Sequence, residues 1–186
     1  GTGSTWISTG TLFVGNFGAS QLDILSGGAV TSVAAVIGRH STSTATVSGT
    51  GSSWNTGALS VGGDISDPGA ANGTLTVSAG GSVTSTGARL GLNSGNTGTV
   101  TVSGAGSVWN TGGSGTVLSV GYNGTGILTV SDGAALVTDR LIAGHNANSN
   151  GTVTVTSGAS FTNTGYLYVG NEGNGTLTVS DGGRLT

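Results

Sequence analysis

One short phrase, an apolar residue followed by Gly, recurs along this chain at Gly15, Gly38, Gly62, Gly91, Gly121, Gly144 and Gly170. Successive anchors lie 23, 24, 29, 30, 23 and 26 residues apart. A period of this length marks a repeat architecture, in which no unit buries its apolar face alone. After each anchor comes a strand ending in Ser or Thr, at Ser26, Ser48, Ser78, Ser103, Ser131, Thr156 and Ser180. A third apolar-led segment follows, at Val30, Trp54, Val83, Trp109, Leu136, Phe161 and Leu185. Each unit therefore holds three short strand-like segments, parted by Gly, Asn, Asp and Ser.

Side chains alternate along a strand, so period two tells which of them face inward. In the first segment the inward pairs are Leu12/Val14, Ala35/Ile37, Leu59/Val61, Ala88/Leu90, Leu118/Val120, Leu141/Ala143 and Leu167/Val169. In the second they are Leu22/Ile24, Ala45/Val47, Leu75/Val77, Val100/Val102, Leu128/Val130, Val153/Val155 and Leu177/Val179. Every one of these positions is apolar. Two inward residues per segment make no core, but stacking does. With one repeat per turn, equivalent residues sit about 4.8 Å apart and the inward columns merge. The expected fold is all-β: a right-handed parallel β-helix, a three-faced β-solenoid of about seven rungs. A propeller blade needs four strands and about 40 residues, more than these units supply. The segments 62–72 and 110–117 lengthen the two long repeats and are expected at corners, where extra length costs little.

Composition narrows the function. The chain has seven acidic and four basic residues, net charge −3, with 39 Gly, one Pro and no Cys. No basic stripe exists for nucleic acid. No apolar run is long enough to cross a membrane as a helix, so no membrane insertion by this segment is expected. Thiolate metal sites and disulfides are excluded.

With this register, "LSVGYNGTGILTVSDGAAL" (118–136) and "LYVGNEGNGTLTVSDGGRL" (167–185) resemble the passenger-associated repeats of bacterial autotransporters. "SGTGSSWNTG" (48–57) and "SGAGSVWNTG" (103–112) resemble the Trp-bearing repeats of that family. The resemblance covers essentially the whole chain. It implies a secreted or bacterial cell-surface protein whose passenger is a right-handed β-helix, often adhesive or self-associating. "GTGSTW" (1–6) matches the interior phrases, so residues 1–186 are read as a single β-helix segment cut from a longer passenger. The expected role is a structural or adhesive stalk mediating attachment or self-association; the alternatives are an ice-binding β-solenoid and a carbohydrate-binding or carbohydrate-processing β-helix. Its partners would be a host or bacterial surface ligand, a glycan or another copy of the chain.

Catalysis is not expected, and neither is a cofactor. His40 and His145 follow anchors four rungs apart, roughly 19 Å, too far for a dyad or a shared metal; both are expected in exposed loops. Asp132 and Asp181 share a corner two rungs apart, about 9.6 Å, beyond the paired-carboxylate spacing of retaining glycosidases. Asp64 and Asp67 suit a turn better than a Ca²⁺ site. Arg39, Arg89, Arg140 and Arg184 occupy different repeat positions and are not expected to form a stripe. The Asn-Gly pairs at Asn72, Asn123, Asn150 and Asn174 are expected to supply positive φ at tight corners. Trp6, Trp54 and Trp109, in alternate rungs between Val30, Val83 and Leu136, suit core filling, with an outward sugar-binding stripe as the alternative.

The most regular outward surface is the second segment. Thr44, Thr74, Thr99, Thr152 and Thr176 form one column, broken by Gln21 and Ile127. Thr46, Thr76, Thr101, Thr129, Thr154 and Thr178 form the next, broken by Asp23. This is the candidate ligand face, and such Thr-x-Thr ladders resemble those of ice-binding β-solenoids. The plainer account is that Thr suits exposed strand positions and avoids stacking like charges.

Overall fold

In a computed structural model, which describes residues 1–66 and 69–186, the chain is a parallel β-solenoid. Among the described residues there is no helix. The second segments form a sheet of seven parallel strands, from Gln21–Leu25 through Ser43–Ser48, Gly73–Ser78, Thr97–Ser103, Thr125–Ser131 and Asn150–Val155 to Asn174–Val179. The first and third segments line two further faces. They join into one sheet because Ala29–Ile37 and Ser53–Val61 run unbroken from a third segment into the next first segment. Elsewhere the two are separate, as in Ser82–Thr84 and Ala88–Leu90.

Registers agree with the alternation residue for residue. Val102 lies beside Val77 and Val130, and Leu118 beside Ala88 and Leu141. Of the inward pairs, all are buried except Leu22, Leu167, Val169, Leu177 and Val179, which belong to the two terminal rungs. One continuous column of apolar side chains thus runs through the coil.

The third face carries a single file of large residues: Trp6, Val30, Trp54, Val83, Trp109, Leu136, Phe161 and Leu185 stack in that order. Trp54 and Trp109 are fully buried, each between two aliphatic neighbours. Their indole N–H groups donate to Ser32 Oγ and Ser85 Oγ, both at 3.2 Å. A buried indole needs such a partner. These two tryptophans are therefore core, not display. Trp6, on the first rung, is half exposed.

Corners set the geometry. The seven anchor glycines all have positive φ, between 61° and 84°, and close the first-segment strands. From Gly38 onward each donates its N–H to the rung before, as Gly91 does to Val61 O and Gly144 to Val120 O. The Asn-Gly corners work differently from the expectation. Neither Asn72, Asn150 and Asn174 nor the following Gly73, Gly151 and Gly175 has positive φ. Glycine is required there by crowding: a Cβ on Gly73 would meet Ile37 O, and one on Gly151 would meet Val120 O. After the second segment a different corner puts Ser26, Ala79, Asp132, Ser157 and Asp181 in the left-handed region, each before a positive-φ Gly. Asp132 and Asp181 do share that corner.

Candidate functional site

Two outward surfaces differ sharply. The second-segment face is the expected ladder. Thr46, Thr76, Thr101, Thr129, Thr154 and Thr178 are consecutive partners, with Asp23 at the end. Thr44, Thr74, Thr99, Thr152 and Thr176 line up beside them, with Gln21 and Ile127 in the expected breaks. It is half exposed to exposed throughout and carries one charge, Asp23.

The first-segment face breaks the repeat. Its middle outward column reads Phe13, Val36, Ser60, Arg89, Ser119, Ile142, Tyr168. Just past the anchors stands a second column: Asn16, Arg39, Gly63, Leu92, Tyr122, His145, Asn171. From Arg39 onward these stack because each N–H reaches a carbonyl of the rung before, as His145 does to Gly121 O at 2.8 Å and Leu92 to Gly62 O at 2.9 Å. Both histidines, all three tyrosines and three of the four arginines gather on this face.

Each of those arginines lies over an aromatic ring of a neighbouring rung: Arg39 over Phe13 at 4.8 Å, Arg89 over Tyr122 at 5.0 Å, Arg140 over Tyr166 at 5.0 Å. The expectation that arginines form no stripe is corrected in this sense. They come from different repeat positions, as read, but alternation and the corner bring them onto one face. Arg184 alone stands apart, beside Ser160 on the third face.

Two of the three are neutralised. Arg39 Nε lies 2.8 Å from Asp64 Oδ2, and Arg140 Nε lies 3.4 Å from Asp139 Oδ2. Asp64 is buried, and its Oδ1 accepts from Ser66 N–H and Oγ–H at 3.1 and 3.0 Å. It is a turn-forming, ion-paired residue, as the turn reading expects. Asp67 lies outside the described residues. Among the described residues no group of three His, Asp or Glu is placed to hold a metal ion.

Arg89 is different. Among the described residues no carboxylate pairs with it, and its guanidinium donates no hydrogen bond to the chain. It faces a cavity of about 400 Å³. The floor is the sheet, at Ala58, Ala88 and Ser119; Tyr122 and His145 stand on the anchor side, and Gly115 and Thr116 of the 110–117 insertion form the opposite wall. That wall is held in place: Gly115 N–H donates to Asp139 Oδ2 at 2.6 Å, and Thr116 Oγ donates to Gly113 O at 2.8 Å. The insertion therefore does more than lengthen a corner.

His145 is half-buried, not loop-exposed as expected, and so is His40, which stacks on Phe17 at 4.7 Å. The His145 ring lies 4.8 Å from that of Tyr122, tilted by 55°, and its Nδ1 is 2.8 Å from Ser119 Oγ. Burial holds its pKa below the usual value; the Arg89 charge pushes the same way, and Glu172 opposes both. The imidazole is thus neutral at pH 7 and able to accept or donate at Nδ1.

The sequence reading missed this group. One signal was present: Tyr122 follows Gly121 as His145 follows Gly144. The groove's other members sit at different offsets, and only the corner geometry joins them. No family model matches the chain, and neither a curated protein nor a solved structure matches it.

Proposed function

We propose that this chain is a stiff stalk with an adhesive side, secreted or displayed on a bacterial surface, of the autotransporter-passenger kind its phrases resemble. The observation that supports this best is the unbroken register through every rung, with one continuous core. Such a coil is a rod whose length grows by about 4.8 Å per rung, suited to holding a surface away from its base. Its partners are a surface ligand, a glycan or another copy of the chain. The test is attachment. Beads coated with the purified chain should adhere to glycan-bearing cells, or to one another, several-fold more than albumin-coated beads. Equal retention and equal clumping would overturn the adhesive reading.

A second reading has its own support. The Thr-over-Thr register of the second face is what an ice-binding ladder requires. Thermal hysteresis in a freezing-point measurement would favour it; ordinary freezing would remove it.

A further inference from the structure

We infer that the groove beside Arg89 is a binding site for a carboxylate-bearing sugar, one acidic residue of a glycan chain. The inference deepens the adhesive reading, on which its biological meaning rests, by naming the ligand class.

The argument begins with the guanidinium. Arg is a fork of donors that fits a carboxylate two-pronged, and an unpaired one is a strong candidate for an absent anion. Arg39 and Arg140 show what this chain does with its other cations on the same face: each has an aspartate. Among the described residues only Arg89 lies over an aromatic ring with its donors unspent. The Tyr122 ring, 5.0 Å away, restrains the guanidinium, so less freedom is lost on binding.

The surroundings select the rest of the ligand. The Thr86 side chain, the Thr116 hydroxyl oxygen and the His145 ring, whose Nδ1 meets the buried Ser119 Oγ, offer polar contacts, while the Ala58 methyl leaves a small apolar floor. That mixture suits a ring with several hydroxyls and an apolar face. The volume, about 400 Å³, lies within the range of small-molecule sites. Charge argues against a polyanion. The nearby Asp139 is held by Arg140, and Glu172 stands beyond His145, one rung further along. One free cation and one neutral imidazole match a single carboxylate, not a run of sulfates or phosphates.

The experiment is a titration of the whole chain followed by nuclear magnetic resonance, with trigalacturonate and sialyllactose as probes. Lactose, acetate and a sulfated disaccharide are the comparisons. At least one sugar acid should shift the signals of Tyr122 and His145, binding at least about tenfold more tightly than lactose or acetate. Arg89→Gln should abolish this, and Arg89→Lys should weaken it about tenfold, because a point charge loses the two-pronged fit. Both variants should melt like the parent. Acetate binding as tightly as the sugar acids would mean an anion site only. Preference for the sulfated sugar would mean the wrong anion. Binding unaffected by Arg89→Gln would mean the wrong residue. Each overturns the inference, as does the absence of any shift. Failure here with coated beads still adhering removes the groove and leaves the adhesive reading; intact titration with inert beads removes the adhesive reading and leaves the groove.

Discussion

The two outward faces obey the same backbone and carry opposite information. On the second face Thr101 repeats Thr76 and is repeated by Thr129, so these neighbouring rungs present the same hydroxyl. On the first face Ser60, Arg89, Ser119 and Ile142 follow one another, and no rung resembles the next. The ladder is what stacking alone prescribes: branched, uncharged side chains on an exposed strand. Departures from the repeat are not needed for stacking, so the face where they collect is where a ligand can be read.

The sharpest way to break this contrast is to test whether in and out are assigned correctly. Val102 and Thr101 are neighbours in one strand, one fully buried and one half exposed. Val102→Asp should cost at least about 3 kcal/mol, since it buries a carboxylate without a partner. Thr101→Asp should stay within about 0.5 kcal/mol, the usual range for a surface change. Urea melts of the two variants decide it. A reversed order of midpoints would mean that the faces are exchanged, and equal midpoints would mean that the inward/outward assignment is wrong.

Next comes the corner that joins the two faces. A Cβ on Gly98 would strike Val61 O and Gly91 N, whereas one on Gly113, in the 110–117 insertion, meets nothing within 4 Å. Neither has positive φ. Gly98→Ala should therefore lose about 2–3 kcal/mol through backbone displacement. Gly113→Ala should be neutral, or stabilising by up to about 1 kcal/mol. Calorimetric melting of both would show whether crowding rather than turn conformation fixes that corner; a cheap Gly98→Ala would contradict it.

The ladder was legible in advance because repetition over-determines it. Seven copies of one alternation leave a single register that hides every apolar pair, and the Thr columns fall where that register puts them. Trp54 and Trp109 were readable for the same reason, each standing between aliphatic residues in its own file. The groove was not legible. Arg89 is an outward strand residue, Tyr122 and His145 follow anchors, and Thr116 belongs to an insertion. Their meeting depends on how far the corner past each anchor folds back over the strand, which alternation does not encode. The Asn-Gly pairs failed for a related reason: their glycines answer to the carbonyl of the rung below, which no local turn rule contains.

The smallest expected effect sharpens the groove side. His145 has a lowered pKa from burial and from Arg89. The folded state then binds its proton less readily than the unfolded chain. Its contribution to stability is present above the ordinary value near 6.5 and is lost as pH falls through the lowered one. The charged groups facing it are Arg89 and Glu172, with Tyr122 beside it. His145→Gln should flatten that slight acid-side loss, and Thr101→Val on the ladder should leave it unchanged. Melting curves across that pH interval would check both, and an unaltered slope in His145→Gln would assign the loss to another group.

The pairing of every strand with the turn before and the turn after has a consequence for how the chain folds. Partners are always one repeat apart: Thr101 finds Thr76 behind it and Thr129 ahead, however many turns the coil contains. The loop that must close to add a turn is therefore nearly constant, and so is its entropy. As turns are added, the average contact distance shrinks relative to chain length, which is the condition for faster folding in a parallel sheet that would otherwise be slow. Once a few adjacent turns have met, growth resembles adding units to a one-dimensional lattice, each docking on a finished edge. The middle of the coil, where Trp109 lies between Val83 and Leu136, offers the deepest such nucleus; the half-exposed terminal turns would be the last to join and the first to fray.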